Sequence, residues 1–281
     1  MKTRSAPTIL LLMLSLFETT SRGIDSFDRL KFRLRDGYQV IAHGAIGRLD
    51  RLNLLIDTGS IPSVVDGRIA EQLGVEITEA DSVVFDRRIR ILSATLSNVR
   101  VGPIFADTLL ASVGDLSYLG GSNVDAIIGL DVLRRTSFSI DYDRRLLTFG
   151  TIAASGPYVD LVVIPPFLTV QVSCGGYRFR LLVDTGSRHI VLFEQRVSNR
   201  ASYVRVPGDR PLYHMAGTSH LQRVLLSRLE IGSLAIPRIE GLVSNADVHH
   251  YPPDIDGILG VRAIVSRRVD FDFERTRLGL H

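Results

Sequence analysis

The stretch Leu54-Leu-Ile-Asp-Thr-Gly-Ser60 returns later in the chain as Leu181-Leu-Val-Asp-Thr-Gly-Ser187. Further blocks follow each copy in the same order and at a nearly constant offset. They are Leu96–Gly102 with Leu226–Gly232, Asp125–Gly129 with Asp256–Gly260, and Phe138–Leu147 with Val269–Leu278. Self-similarity at a fixed period is the signature of a repeated structural unit. The sequence therefore predicts an internal duplication into two homologous halves.

Both halves have the pattern of β-structure. Short apolar or alternating runs such as Tyr38–Ala42 and Phe167–Val172 are separated by glycine-containing turns, which is typical of strands. Short helices are indicated only over 68–73, ended by Gly74, and over 130–135. We predict an all-β fold of two homologous β-barrel lobes over 28–150 and 159–281. A linker over 151–158 would join them, and a pseudo-twofold axis would relate them.

The repeated tetrapeptide Asp-Thr-Gly-Ser carries the chemistry. An apolar strand that runs into it delivers a carboxylate at a tight turn, where glycine allows close backbone approach and the hydroxyls can form local hydrogen bonds. One copy is a weak signal, because such turns are common in hairpins. Two copies in matched halves are a strong signal, since a pseudo-twofold would place Asp57 and Asp184 side by side. We predict these two aspartates to be catalytic.

These motifs resemble those of the pepsin and retropepsin clan of aspartic proteases, and more closely its exported bacterial members with retropepsin-like halves. The resemblance covers about residues 30–281. It rests on both Asp-Thr-Gly-Ser motifs together with Ile127-Ile-Gly129 and Ile258-Leu-Gly260. It implies a cleft between the two lobes, with each glycine-containing segment packed behind its motif as part of a ψ-shaped loop.

The resemblance also implies that the rest of each motif supports the aspartate pair. The supporting residues would be Thr58, Gly59, Ser60, Thr185, Gly186 and Ser187. The threonines would lock the two loops by reciprocal hydrogen bonds, and the serine hydroxyls would bond the outer carboxylate oxygens. Because such a donor favours the ionised carboxylate and lowers its pKa, we expect an acidic pH optimum.

The predicted mechanism follows from charge. Two carboxylates that share a site cannot both ionise cheaply, so one proton is retained. The ionised aspartate would act as general base on a water, and its protonated partner would polarise the scissile carbonyl and protonate the leaving amine. The predicted function is an aspartic endopeptidase that uses no cofactor and no metal. The alternative is a catalytically weak pseudo-protease that binds a peptide or protein in the cleft.

The flap region departs from the family pattern. In the family a flap hairpin covers the substrate, commonly with glycines at its tip. The second half offers Tyr213–Ser219 as a flap, whereas the corresponding part of the first half, near Val84–Ile89, has no glycine. We therefore expect the flap of the first half to be rigid, shortened or reshaped.

The N-terminus predicts export. Lys2 and Arg4 precede the apolar run Ile9–Phe17, which is the layout of a signal peptide over 1–22, with an uncleaved signal anchor as the alternative. We expect a periplasmic or secreted protein that acts as a monomer on a polypeptide substrate. The formal charge of +3 is spread along the chain without a basic block, so a nucleic-acid partner is not expected.

Several other polar residues have a structural interpretation as well as a functional one. Arg188 and His189 follow the second motif and could touch substrate or lie in a solvated loop. His249 and His250, near Asp247, Asp254 and Asp256, could suggest a metal site, but the adjacent prolines oppose converging geometry. Asp125 and Asp256 open matching segments, which suggests a shared structural hydrogen bond. Cys174, the single cysteine, is interpreted as structural.

Overall fold

The computed structural model describes residues 28–84, 87–119, 123–153, 156–197, 203–214, 217–246, 248, 251–265 and 267–281. Within these residues the fold is all-β, as predicted. The predicted signal segment over 1–22 lies outside the described residues. So do part of each predicted flap and the residues Asp247, His249 and His250.

The strands correspond between the two halves of the chain. Those of the first half are β1 (Arg29–Arg35), β2 (Gln39–Ile46), β3 (Leu49–Ile56), β4 (Val64–Asp66), β5 (Ile77–Val84), β6 (Arg87–Val101), β7 (Ile104–Gly114), β8 (Ala126–Ile128), β9 (Phe138–Asp141) and β10 (Leu146–Phe149). Those of the second half are β11 (Tyr158–Ile164), β12 (Phe167–Cys174), β13 (Tyr177–Asp184), β14 (Ile190–Phe193), β15 (Tyr203–His214), β16 (Gly217–Ile231), β17 (Leu234–Ser244), β18 (Gly257–Gly260), β19 (Arg268–Asp272) and β20 (Arg277–Leu280).

The helices of the described residues are short: α1 (Gly67–Leu73), α2 (Leu130–Leu133) and α3 (Glu194–Val197). The first two confirm the predicted helices, although α2 ends earlier than expected. Asp66 caps α1 by accepting from the N–H of Arg68 at 3.0 Å. Gly74 ends α1 in the left-handed region, with φ of 68°. None of these helices is both long and apolar enough to cross a membrane.

Strand pairing follows a closed circuit in each half. In the first half the circuit runs β2-β3-β8-β4-β7-β6 and returns to β2, with β3–β8 and β4–β7 parallel. In the second half it runs β12-β13-β18-β14-β17-β16 and returns to β12, with β13–β18 and β14–β17 parallel. The two circuits use equivalent strands in equivalent order, which is the structural counterpart of the sequence repeat.

A further antiparallel sheet contains strands from both halves, in the order β1-β10-β9-β19-β20-β11. At its centre β9 pairs with β19, and the fully buried rings of Phe138 and Phe271 stack with centroids 4.7 Å apart. The largest apolar core cluster likewise draws side chains from both halves. Burial of large side chains from both halves in one cluster therefore ties the halves together.

Two smaller apolar clusters occupy corresponding places in the two halves. One contains Leu55, Val64 and Ile127, and the other contains their repeat equivalents Leu182, Val191 and Ile258. Each cluster therefore backs the strands that lead into and out of one Asp-Thr-Gly-Ser turn. Close packing of these buried side chains fixes the positions of the strands and of the turns that they carry.

Candidate active site

Each predicted catalytic aspartate lies at the end of a buried strand. Asp57 follows β3, and its N–H donates to the carbonyl oxygen of Ile128 on the parallel strand β8 at 3.0 Å. Asp184 ends β13 and lies opposite Gly260 of the parallel strand β18. The glycine-containing segments of the repeat therefore pack directly beside the motif strands, in the same register in both halves.

Asp125 and Asp256 have the shared structural role that was predicted for them. Asp125 Oδ2 accepts from the N–H of Asn53 at 2.8 Å, and Asp256 Oδ2 accepts from the N–H of Arg180 at 2.9 Å. Asn53 and Arg180 occupy equivalent positions four residues before the two aspartates of the repeated motif. These bonds fasten each glycine-containing segment to its motif strand.

The two turns are held together by Thr58 and Thr185. The Thr58 hydroxyl donates to the carbonyl oxygen of Val183 (2.8 Å) and accepts from the N–H of Thr185 (3.1 Å). The Thr185 hydroxyl donates to the carbonyl oxygen of Ile56 (2.9 Å) and accepts from the N–H of Thr58 (3.0 Å). Both side chains are buried, at 1% and 0% exposure. The structure thus contains the reciprocal bonds that the resemblance implies.

Gly59 and Gly186 permit the close approach of the two carboxylates. A Cβ atom on Gly59 would lie 2.5 Å from Cγ of Asp184, and one on Gly186 would lie 2.4 Å from Oδ2 of Asp57. Both distances are below any real van der Waals contact. Each glycine therefore makes room for the aspartate of the opposite turn, and not only for a tight bend in its own.

The prediction for the serine hydroxyls was wrong. The Ser60 hydroxyl donates to the carbonyl oxygen of Pro62 at 3.1 Å, and the Ser187 hydroxyl donates to that of His189 at 3.3 Å. The donors to the carboxylates are backbone N–H groups instead. Gly59 donates to Asp57 at 2.9 Å, while Gly186 and Ser187 donate to Asp184 at 2.7 and 3.0 Å. The tight turns aim these amides inward, and the hydroxyls satisfy carbonyls of their own loops.

The two carboxyl groups act on each other electrostatically, and both have a raised pKa. Desolvation raises the pKa of Asp57 above its ordinary value, while hydrogen bonds to Asp184 and to backbone N–H groups act in the opposite direction. The pKa of Asp184 is raised well above its ordinary value by desolvation, by the charge of Asp57 and by the shared hydrogen bond. The pair therefore holds a proton at pH values at which isolated aspartates are ionised.

The aspartate pair lies in a cleft of about 970 Å³ lined by both halves of the chain. The half-buried side chains of Tyr118 and Tyr251 contribute one wall from each half. Burial is the main cause that raises the pKa of both phenols, so both hydroxyls are neutral hydrogen-bonding groups around neutral pH. A half-apolar cleft with paired carboxyl groups at its floor can bind an extended chain and exchange protons with it.

The loops that carry the two tyrosines are anchored by different contacts in the two halves. Asp66 Oδ2 accepts from the N–H of Leu116 at 3.0 Å and so holds the loop of Tyr118. Arg196 of α3 holds the other loop by donating to four backbone carbonyl oxygens, those of Val248, Tyr251, Pro252 and Ile255. Tyr251 also stacks on Phe193, with ring centroids 4.9 Å apart.

The sequence interpretation missed Tyr118, Tyr251 and Arg196. A signal was present for the tyrosines, since one precedes each Asp-x-Ile-x-Gly segment, at seven and five positions. Loops of unequal length hid this correspondence. Tyr213, which was predicted to be a flap or packing residue, also lines the cleft, and so do Arg188 and His189.

Other side chains with possible ligand chemistry lie away from the cleft or form no cluster. Cys174 is buried, and its thiol contacts the carbonyl oxygen of Ser227 at 3.2 Å. Among the described residues no group of three or more His, Cys, Asp or Glu side chains is arranged to hold a metal ion. The side chains of the first-half flap region near 84–89 lie outside the described part of the chain.

A comparison with protein families matches residues 170–263 to the family described as aspartyl protease. The matched segment contains the second Asp-Thr-Gly-Ser motif and Ile258-Leu-Gly260. No curated protein matches the chain. The predicted resemblance is thereby confirmed, and the match supports an aspartic protease family for this chain.

The reciprocal threonine bonds generate a stability prediction. Thr58→Val removes the hydroxyl but keeps the shape, and it leaves the buried N–H of Thr185 and carbonyl of Val183 without their partner. We expect a loss of about 2 kcal/mol or more in the free energy of unfolding, measured by urea denaturation. Thr58→Ser keeps the hydroxyl and should lose about 1 kcal/mol or less. Equal stability of the two variants would contradict the assigned role.

Proposed function

We propose that this protein is an aspartic endopeptidase that hydrolyses peptide bonds with a water activated by Asp57 and Asp184. The observation that carries the proposal is the juxtaposition of these two carboxyl groups, one from each sequence repeat, each packed against the glycine of the opposite turn in a cleft lined by both halves. Neighbouring desolvated carboxyl groups are costly to the fold, and such perturbed pairs cluster at functional sites. The family match supports a protease in general.

In the proposed mechanism the two aspartates have different protonation states. One member of the pair is ionised and takes a proton from a water held between the carboxyl groups. Its partner is protonated and passes its proton to the scissile carbonyl oxygen as the water oxygen attacks the carbonyl carbon. As the C–N bond breaks, the first carboxyl group gives the proton taken from water to the leaving nitrogen, and its partner recovers a proton from the diol, which restores the singly protonated pair. The backbone N–H groups of Gly59, Gly186 and Ser187 hold the carboxylates in orientation.

We also propose the two-lobed architecture that the sequence predicts, with β-barrel lobes over 28–150 and 159–281, a linker over 151–158 and a pseudo-twofold axis between the aspartates. The equivalent strand circuits and the symmetric order of the shared sheet support it. One chain supplies both aspartates, so we propose a monomer that acts on a polypeptide without metal, cofactor or nucleic acid. The basic and apolar N-terminal sequence supports export to the periplasm or beyond, with an N-terminal anchor as the alternative.

The first test of this function is the loss of activity when either aspartate is replaced. We expect Asp57→Asn and Asp184→Asn each to lower kcat/KM on a diverse peptide library by about 10²-fold or more, because each removes one partner in proton transfer. The matched control is Asp143→Asn, since the Asp143 side chain is 60% exposed and lies in a surface ion pair with Arg267.

Circular dichroism would confirm that all three variants fold. If either dyad variant kept wild-type activity, a mechanism with two aspartates would be excluded. If the folded wild-type protein bound peptides without cleaving any of them, the chain would instead be a peptide-binding pseudo-protease.

The pH dependence of kcat/KM is a second test. Activity should rise with pH as the pair loses its first proton, and this limb should lie above the ordinary aspartate pKa of about 3.9, because burial raises the pKa of both carboxyl groups. Activity should fall again as the pair loses its second proton at higher pH. We therefore expect the optimum to lie above the ordinary aspartate pKa. An optimum below about pH 3 would contradict the electrostatics of the buried pair, provided the protein stays folded across the range.

A further inference from the structure

The walls of the cleft differ in charge between the two halves. Arg188 and His189 directly follow the second Asp-Thr-Gly-Ser motif and line the cleft, whereas the first motif is followed by the uncharged Ile61 and Pro62. Arg210 of β15 also lines the cleft, and its charge acts on His189 together with that of Arg188. The two halves therefore match at the aspartates themselves but differ in charge at the residues that follow each motif.

The first-half wall carries a compensated charge. Arg35 lies 3.4 Å from the carboxylate of Asp36 and donates to the side chain of Gln39 at 2.9 Å. Tyr38, between them in the lining, is an uncharged phenol with a raised pKa. This side of the cleft therefore presents an ion pair with no net charge to a ligand.

The second-half wall carries excess positive charge. Apart from Asp184 of the aspartate pair, the carboxylate that the second half adds to the cleft lining is that of Glu240, which receives two hydrogen bonds from Arg223, at 3.1 and 2.6 Å. Arg210 lies farther from it, at 3.7 Å. Arg188 is exposed, and no carboxylate among the described residues lies within ion-pair distance of it. One carboxylate thus faces two guanidinium groups, and a third guanidinium is left uncompensated.

His189 lies half-buried within this positive wall. Burial lowers the pKa of its imidazole, and the charges of Arg188 and Arg210 lower it further, against a smaller opposite effect of Glu240. These surroundings disfavour the charged form of the ring. A neutral imidazole can donate one hydrogen bond without adding charge. Arg188 and Arg210 therefore make the net charge of this wall positive.

We propose that Arg188 and Arg210 form a subsite for an acidic side chain of the substrate, so that the preferred substrates are polypeptides with Asp or Glu close to the scissile bond. Arginine is suited to this role because its planar guanidinium matches a carboxylate with two parallel hydrogen bonds. This inference rests on the proposed peptidase function, since the subsite belongs to the same cleft.

Matched peptides that differ only as Glu against Gln, at each position on either side of the cleaved bond, test the subsite. We expect at least one position at which the wild-type protein prefers Glu by about tenfold in kcat/KM, a difference typical of a charge-assisted pair. The preference should weaken as ionic strength rises, because the subsite is partly exposed to solvent. Arg188→Gln should lower the Glu/Gln ratio of kcat/KM towards one. Arg188→Glu should make the protein prefer a matched peptide with Lys at that position over the Glu peptide.

The matched control is Arg178→Gln, which removes an exposed arginine of β13 that does not line the cleft. It should leave the Glu/Gln ratio unchanged. If Arg188 had a purely structural role, Arg188→Gln would change kcat/KM for both peptides alike and leave their ratio unchanged. That result would overturn the subsite.

A binding measurement separates failure of the subsite from failure of the proposed function. The Asp57→Asn variant, which should not cleave, is titrated with fluorescent Glu and Gln peptides and followed by anisotropy. Tighter binding of the Glu peptide that is lost in the Asp57→Asn/Arg188→Gln double variant supports the subsite, even if the wild-type protein cleaves nothing. Equal binding of the two peptides at every position would overturn it.

Discussion

Two buried threonine hydroxyls join the Asp-Thr-Gly-Ser turns, and the position of every other group at the cleft floor depends on them. Each hydroxyl accepts from one backbone N–H and donates to one backbone carbonyl of the opposite half. Such a bond tolerates little displacement, because a buried polar group that loses its partner costs about 1–3 kcal/mol. With the turns fixed, the absent side chains of Gly59 and Gly186 let the carboxyl groups meet.

The contact between the carboxyl groups has an electrostatic cost that the backbone only partly offsets. Desolvation raises the pKa of both aspartates, and the amide hydrogen bonds that favour the charged form do not cancel it. A shared proton lowers the cost, because one neutral and one ionised carboxyl group can hydrogen-bond where two ionised groups would repel. The proposed general base and general acid depend on this difference between one ionised and one protonated carboxyl group.

The sequence predicted the parts of the site that the duplication repeats. The paired motifs predicted that the two turns meet, as the reciprocal threonine bonds show. The matching segments predicted the hydrogen bonds of Asp125 and Asp256, because equivalent residues meet equivalent backbone. The hydroxyls of Ser60 and Ser187 were misassigned, since their direction depends on which carbonyl the folded turn brings near. Arg196 and α3 could not be predicted, because four carbonyls converge on that guanidinium only once the loop is folded.

The measurement that tests the central claim most directly is an NMR titration of the aspartate carboxyl carbons in the ¹³C-labelled protein. The signals of Asp57 and Asp184 would be assigned from their loss in the two Asn variants. The account predicts two coupled steps that both carbons report, with Asp184 still protonated well above the ordinary aspartate pKa of about 3.9. Two independent titrations near that ordinary value would show that the carboxyl groups share no proton, and the proposed mechanism would be wrong.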